Sequence, residues 1–370
     1  MGERMVRKHI AIFSGLLALL TSACGYQSPA EFRDRDVEIG NFENASYRFS
    51  AAEGLLHVTS ATDALITTRA TAPNFSARLT RKSASVTSIR LMIANLPDNP
   101  QLTVEGAPTA GTPEPSLSHA YFWDLTFGGA SGEEIDLALP TSASPTQDFR
   151  ILAFGDIQNG IDRFGDVVAA VNQELTAEFI LMLGDLSNRA RVSEFDAVDA
   201  YFKQIRVPIY VTPGNHDAFA KRSYQDRYGR ANYTFTHRGV RFTSLDSSSA
   251  ELDPTVWDWA RAWMDLGRAA PHVVFSHIPV TEASGVRSGQ WNSRREAAKF
   301  LAMARQHAVD LLLFGHVHSF DAYNLAGIPT YISGGCGAIE ERFDGIDRHY
   351  LRIDVSPSNA TIRVEAVEID

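Results

Sequence analysis

Phe149-Arg150-Ile151-Leu152-Ala153-Phe154-Gly155-Asp156-Ile157-Gln158 is the stretch on which the fold turns. An apolar run of this kind, nearly uninterrupted, suits a strand covered on both faces of a sheet. It breaks at a glycine and then delivers a carboxylate and an amide. The pattern recurs downstream. Phe179–Leu183 runs into Gly184-Asp185, and Pro208–Val211 is followed by Gly214-Asn215-His216-Asp217. Val273–Phe275 leads to Ser276-His277, and Leu311–Phe314 to Gly315-His316-Val317-His318.

Helical periodicity separates these strands. Phe164, Val167, Val168, Val171 and Leu175 share one face, as do Phe195, Val198, Phe202 and Ile205. Asp253-Pro254 starts a helix carrying Val256, Trp259, Trp263 and Leu266, and its three Trp read as helix core. Ser293 with Glu296 gives a capping-box pattern before Phe300 and Leu301. A hairpin is expected at Tyr233–Thr236 and Arg241–Ser244, and two closing strands at Tyr350–Val355 and Ala360–Val367. Strand–helix alternation makes residues 149–370 an α/β domain with its ligands at the carboxyl ends of the strands.

Upstream the rhythm differs. From Phe42 to Leu139 short β-rich runs follow one another, such as Ser46–Ser50, Leu55–Val58, Ala64–Thr68, Ser88–Ile93, Gln101–Val104 and Tyr121–Phe127. Six to eight strands without a helix predict a small all-β sandwich over residues 41–140. Ala107–Ser118, with three prolines, reads as an exposed loop, and residues 141–148 as the linker.

The first residues have a separate purpose. Arg4, Arg7 and Lys8 precede an apolar run from Ile10 to Leu20 and then Thr21-Ser22-Ala23-Cys24-Gly25. Basic, apolar and small-residue zones in that order describe an export signal over 1–23. The run is short for a membrane span, which needs about 20 apolar residues. Cys24 after Ser22-Ala23 resembles a bacterial lipobox, which implies lipidation of Cys24. A plain secreted protein and an uncleaved anchor are the other two readings. Gly25, rather than Asp, favours the outer membrane over the inner by the same resemblance. Residues 24–40 then read as a polar tether.

Acidic residues number 44 against 34 Lys and Arg, a net charge of −10. Removing 1–23 takes away Arg4, Arg7, Lys8 and Glu3 and makes it −12. Such a body disfavours an extended nucleic-acid surface. Two cysteines, Cys24 and Cys336, exclude a disulfide framework and a Cys-rich zinc module.

The strand ends bring two Asp, an Asn, a Gln and four of the eleven His to one edge. Carboxylate, amide oxygen and imidazole without thiolate suit Mn, Fe, Zn or Mg. Seven candidate ligands exceed one tetrahedral zinc and match two divalent ions sharing a bridge. The glycines before Asp156, Asp185, Asn215 and His316 are expected to permit the sharp turns that aim these side chains.

The five blocks in order resemble the calcineurin-like metallophosphoesterase superfamily, with Asp156 to Asp185 spanning 29 residues and Asp185 to Asn215 spanning 30. The resemblance implies a four-layer α/β/β/α sandwich behind the β-sandwich. It also implies that Asp156, Gln158, Asp185 and His318 hold one metal, and Asp185, Asn215, His277 and His316 the other. His216 is implied as the non-ligand histidine beside the leaving group, oriented by Asp217, with a metal-bridging hydroxide attacking phosphorus. Gln158 stands where the pattern more often has His, which bears on metal identity. The two-part architecture is also similar to purple acid phosphatases, but their signature tyrosine ligand is missing.

The expected reaction is hydrolysis of a phosphomonoester or phosphodiester of nucleotide, cyclic-nucleotide or phospholipid-headgroup type. The opposing expectation is a non-catalytic envelope lipoprotein with a structural metal site. Loops Ala218–Ala231, with Lys221, Arg222, Tyr224, Arg227 and Tyr228, and Glu282–Ser293, with Arg287 and Trp291, read as ordinary solvated loops or as the substrate side. Ser333-Gly334-Gly335-Cys336-Gly337 reads as a tight turn with a packed cysteine, or as an amide rim for phosphate. His57, His119, His237, His272, His307 and His349 lie outside the blocks and read as surface or structural residues.

Overall fold

The computed structural model describes residues 25–129, 131–140, 146–285, 288–341 and 344–369. Cys24, the expected signal 1–23, most of the expected linker and Arg287 lie outside the described residues. No helix among the described residues is long and apolar enough to cross a membrane.

The β-rich N-terminal half contains β1 (Asn41–Glu43), β2 (Tyr47–Ala51), β3 (Leu56–Ala61), β4 (Leu65–Ala70), β5 (Phe75–Arg81), β6 (Ser88–Ala94), β7 (Gln101–Val104), β8 (Ala107–Ala110), β9 (Thr112–Pro113), β10 (Tyr121–Thr126) and β11 (Glu134–Leu139). They form two sheets, ordered β1-β2-β5-β11-β7-β8 and β3-β4-β6-β10-β9. Strict alternation drives this packing: Tyr121, Trp123 and Leu125 of β10 are buried while Asp124 and Thr126 face water. The expected loop Ala107–Ser118 is exposed, but it carries β8 and β9 as edge strands. Prolines 108 and 113 are tolerated there because an edge strand has backbone donors to spare.

The C-terminal half contains β12 (Phe149–Phe154), β13 (Ala177–Met182), β14 (Ile209–Val211), β15 (Tyr233–His237), β16 (Val240–Ser244), β17 (His272–Phe275), β18 (Leu311–Phe314), β19 (Phe320–Leu325), β20 (Ile328–Ser333), β21 (His349–Ser356) and β22 (Thr361–Glu368). One sheet runs β14-β13-β12-β21-β22 and the other β15-β16-β17-β18-β20-β19. Ile151 and Ala153 of β12 face the core between the sheets, while Leu152 and Phe154 face outward beneath helices. Leu311 and Leu313 of β18 likewise face inward, and Leu312 and Phe314 outward. Each central strand is thus apolar on both sides because each is covered on both sides, giving α/β/β/α layers.

Helices α2 (Ile161–Val171) and α3 (Val192–Phe202) cover the first sheet; α5 (Pro254–Gly267) and α6 (Arg294–Gln306) cover the second. Leu175 lies beyond the end of α2 and is exposed. In α5 the buried stripe is Val256, Trp257, Ala260 and Met264, with Leu266 exposed, so the expected face is rotated. Small Ala260 lets the helix approach the sheet, and Trp257 turns inward to pack edge-on against Trp291 and Phe300. Asp253 and Ser293 cap their helices; Ser293 Oγ accepts from Glu296 N, the first half of the expected capping box. The β19–β20 hairpin was not expected as such; its turn is Ala326-Gly327, both at positive φ, without the Asn-Gly signature that advertises such turns.

The expected tether is corrected. Pro29–Glu38 is helix α1, capped reciprocally by Ser28 and Glu31. It docks against the loop after β14, where α4 (Ser223–Tyr228) lies, with Phe32 and Asp36 fully buried. The Asp36 carboxylate accepts from Gln225 Nε2, Ala231 N, Asn232 N and Asn232 Nδ2 at 2.6–2.9 Å.

Candidate metal centre

Five strand ends from two sheets converge. Asp156 and Gln158 follow β12, Asp185 follows β13, and Asn215 and His216 follow β14; His277 follows β17, and His316 and His318 follow β18. Asp156, Asp185 and His277 are fully buried. Asp185 is the hub: its Oδ2 accepts from Gln158 Nε2 at 2.5 Å and lies 3.3 Å from His277 Nε2, while its Oδ1 accepts from the His216 backbone N–H at 2.8 Å. Asn215 Oδ1 lies 3.1 Å from His277 Nε2, and His318 Nε2 lies 3.2 Å from Gln158 Nε2 and 3.6 Å from Asp156 Oδ1. The His316 backbone N–H donates to Asp156 Oδ2 at 2.9 Å, and its ring meets the His277 ring edge-on at 5.1 Å. All seven residues expected as ligands therefore belong to one connected cluster.

The histidine tautomers follow from their carbonyl partners. A carbonyl only accepts, so the ring nitrogen facing it must carry the proton. His277 Nδ1 faces Leu183 O at 2.8 Å, His318 Nδ1 faces Ile339 O at 2.9 Å, and His216 Nδ1 faces Asn188 O at 2.8 Å. Each ring thus presents Nε2 as its working atom, the arrangement typical of metal-site imidazoles. Burial would push His277 down, yet the Asp185 charge and hydrogen bond, with Asp156 beyond, hold it up at about 9. Burial would likewise raise Asp185, but His277 and His216 draw it below the ordinary carboxylate range. Two buried carboxylates here demand positive charge, and a proton on His277 supplies only part of it.

The residues fit divalent metal ions. Asp185, His277 and His316 each offer a ligand atom within 4.8 Å of the others. The donors are oxygen and imidazole throughout, suited to hard or borderline ions. The surrounding backbone is packed to the limit: a Cβ on Gly214 would fall 2.0 Å from Asp185 Oδ1, and one on Gly315 2.7 Å from Asp156 Oδ2.

The glycines act differently from expectation. Of the four preceding ligand candidates, only Gly184 has positive φ; Gly155, Gly214 and Gly315 serve by lacking a side chain. The unusual backbone belongs to the ligand candidates themselves, with φ of 70° at Asp156, 41° at Gln158, 53° at Asp185 and 70° at His316. Left-handed backbone at non-glycine residues costs of order 1–3 kcal/mol each and concentrates at functional sites.

Asp217 is also corrected. Its carboxylate accepts from Leu186 N, Ser187 N, Ser187 Oγ and Gly214 N at 2.8–3.1 Å, not from the His216 ring. The ring is oriented by the Asn188 carbonyl, a partner that no side-chain motif could announce. Behind His277, Ser247 Oγ accepts from the backbone N–H groups of His277 and Ile278. Neighbouring Asp246 is buried and raised to about 6, chiefly by desolvation. The polar run Asp246-Ser247-Ser248 after an apolar strand was the available signal.

The other candidates resolve as follows. In the Ala218–Ala231 loop, Tyr224 and Tyr228 are core residues, and Lys221, Arg222 and Arg227 pair with Glu31, Glu38 and Asp196. Trp291 is buried, donating Nε1–H to Ile278 O. Cys336 is buried and its thiol is pushed up by desolvation. Cys336 N and Ala338 N donate to the carbonyls of Gly155 and Asp156, so these amides brace the first strand end and form no phosphate rim. His57, His272, His307 and His349 are buried, consistent with structural roles.

Residues 149–320 match the family model described as calcineurin-like phosphoesterase. A 3′,5′-cyclic-nucleotide phosphodiesterase from Nostoc sp. (strain PCC 7120) is 24% identical over 192 residues, covering 49% of this chain and 72% of the relative. A purple acid phosphatase from yellow lupin (Lupinus luteus) seeds shares the fold with a TM-score of 0.54 at 13% identity, over 80% of this chain and 70% of that one. A dimetal phosphatase from Danio rerio aligns at a TM-score of 0.46 and 14% identity, over 60% and 99% of the two chains.

Proposed function

We propose, from the premise that residues 149–320 are a calcineurin-like phosphoesterase domain, that this hydrolase cleaves a phosphomonoester or phosphodiester at the cluster centred on Asp185. The observation that carries this reading is the Asp185 hub, which ties ligand candidates from both sheets into one buried set. Nucleotides, cyclic nucleotides and phospholipid headgroups are the substrate types; the likeness to a cyclic-nucleotide phosphodiesterase supports the second.

Asp156, Gln158, Asp185 and His318 would hold one ion, and Asp185, Asn215, His277 and His316 the other. Two such ions supply the nucleophile and neutralise the charge that develops on the phosphoryl oxygens. The chain's own residues do the rest. Asn188 O fixes the His216 proton on Nδ1, leaving Nε2 to meet the leaving oxygen and hand it a proton when the ring is charged. Leu183 O and Ile339 O hold His277 and His318 in the tautomers that keep Nε2 available. Asp217 fixes Gly214 relative to Leu186 and Ser187, and so holds the two loops in register.

The sequence Met1–Gly25 further supports an exported protein anchored by lipid at Cys24, at the outer membrane in preference to the inner. Gln27 N already donates to Ala218 O of the catalytic half. At about 3.5 Å of chain per residue, such an anchor would hold that half close to the bilayer.

The deciding experiment is a panel of mono- and diesters run with Mn, Zn, Fe and Mg in turn, alongside a count of bound metal. Two ions per chain and turnover lost in both Asp185→Asn and His216→Ala are expected. One ion and no turnover with any ester would instead fit a structural metal site, and near-normal turnover in Asp185→Asn would sink the hub assignment. The metal preference also reads out what Gln158 does in place of His.

A further inference from the structure

Lys221, Arg222 and Arg227 are engaged in ion pairs, and two partly exposed aromatic rings stand beside His216. The Phe219 ring meets the His216 ring edge-on at 5.5 Å, and Tyr26 meets Phe219 edge-on at 5.9 Å with the planes 87° apart. Tyr26 is held in place from both ends: its phenol donates to Ser248 O at 2.5 Å, and Gln27 N donates to Ala218 O at 2.7 Å. Burial of the hydroxyl end, with Asp246 and Asp185 nearby, keeps this phenol protonated. The rings nevertheless remain 41% and 42% exposed at Tyr26 and Phe219.

Among the described residues seven large hydrophobic side chains are exposed. Two of them form this corner, and a third, Ile339, belongs to the residue whose carbonyl holds His318. Exposed apolar side chains scattered singly need no explanation, whereas Tyr26 and Phe219 are in ring contact with each other and, through Phe219, with His216. Two fixed rings at right angles offer one face and one edge to a third flat ring, the geometries aromatic groups prefer.

We infer that Tyr26 and Phe219 form a ring-binding subsite on the leaving-group side, which selects phosphoesters whose alcohol carries a flat heterocycle, as in a nucleotide. The inference rests on the phosphoester-hydrolase reading only in placing phosphorus near His216. It also gives residues 25–27 a role in specificity, although they lie outside the matched domain. A quaternary ammonium can also sit on an aromatic face, so a choline headgroup is the rival ligand and the test separates the two.

Adenosine 5′-phosphate, ribose 5-phosphate and phosphocholine are titrated by calorimetry into the full chain loaded with Mn. The first two share the same phosphate and sugar and differ only in the base. Adenosine 5′-phosphate should bind about tenfold more tightly than ribose 5-phosphate, in line with stacking on one or two rings. Phe219→Ala and Tyr26→Ala should each reduce that preference severalfold while leaving ribose 5-phosphate affinity unchanged, which also shows that the variants fold. Phe219→Tyr, which keeps the ring, should retain it. Equal affinity for the two phosphates, a preference that survives both alanine variants, or tightest binding of phosphocholine would overturn the inference. So would loss of binding only to phosphatidylglycerol vesicles, which would make the corner a lipid contact. If no ester is hydrolysed under any metal while the base preference persists, the hydrolase reading fails and the subsite stands.

Discussion

Asp217→Asn distinguishes two ways in which an acidic residue next to the proposed leaving-group histidine, His216, can matter. The carboxylate is fully buried and accepts four hydrogen bonds: Oδ1 from Ser187 N and Oγ, Oδ2 from Leu186 N and Gly214 N. An asparagine can keep its oxygen toward Leu186 and Gly214, but its NH2 then confronts the Ser187 N–H. The Ser187 hydroxyl, which accepts from Ala190 N at 3.0 Å, can still accept the new amide N–H through its second lone pair, but the Ser187 backbone N–H can only donate and loses its acceptor. One orphaned buried N–H costs about 1–3 kcal/mol, and two bonds to a charged acceptor become weaker ones, so a loss of about 2–3 kcal/mol is expected. In a chain of this size that corresponds to a fall in melting temperature of roughly 3–4 °C. Since Asp217 does not touch the His216 ring, the same loss should appear in a His216→Ala background, which differential scanning calorimetry on the four proteins of the cycle would measure. Activity should fall only as far as the loops loosen. An Asp217→Asn protein that melts with the wild type yet loses all His216-dependent turnover would refute this reasoning and restore Asp217 as the direct orienter of the ring.

Two further outcomes follow from the packing and the charges. Gly214→Ala places a Cβ 2.0 Å from Asp185 Oδ1 and 2.3 Å from Asp185 N, which no rotamer relieves; bound metal should fall below two ions per chain and stability by about 3 kcal/mol. Gly128→Ala, where a Cβ meets nothing, should change neither, and metal analysis with thermal melts would expose an equal response as a contradiction. Asp36 is raised from 3.8 to about 6, mainly by desolvation that outweighs its four hydrogen bonds and Arg230. The folded state therefore holds this proton more tightly, so the contribution of Asp36 to stability is greatest below pH 4, falls as pH rises to 6, and is flat above. The drop is about 3 kcal/mol at 1.36 kcal/mol per pH unit. The wild-type advantage over Asp36→Asn in urea melts should accordingly be larger at pH 4 than at pH 7, and an advantage that grows with pH would contradict it.

The site was legible wherever chemistry is written in side chains that follow strands. Asp156, Gln158, Asp185, Asn215, His277, His316 and His318 could be placed on one edge because five apolar runs shared one period and each ended in a polar group. What could not be read was backbone chemistry. The Asn188 and Leu183 carbonyls that set two histidine tautomers carry no residue signal, since any side chain at 188 or 183 would leave the carbonyl in place. The same limit explains the misassigned role of Asp217: adjacency to His216 suggested a side-chain pair, whereas the unpaired donors of the neighbouring loop claimed the carboxylate. It explains the rotated stripe of α5 as well, where Trp257 and Trp259 offer almost equal apolar faces and only the close approach at Ala260 decides between them.

The N-terminal segment shows the converse. Its helix was written in the sequence, with Ser28, Pro29 and Glu31 forming a capping box, yet its polar composition argued for a tether. Ten residues with only Phe32 and Asp36 fully buried have too little apolar surface to hold a helix in place by the hydrophobic effect alone. What holds it is specific polar pairing: Gln27 with Gln225 and Arg222 N, Asp36 with the 231–232 backbone, and Glu31 and Glu38 with Lys221 and Arg222. Each of these needs a partner about 190 residues away in sequence, so neither half announces the contact by itself. The exposed ion pairs contribute little each, and the buried amides and the Asp36 carboxylate carry the specificity. The consequence reaches the site. The loop that begins at His216 and ends at Asn232 is closed on one side by α1, and Asn232 Oδ1 then accepts from the Asp246 N–H beside His277. A segment whose composition reads as a polar tether is thereby packed against the loop that carries His216.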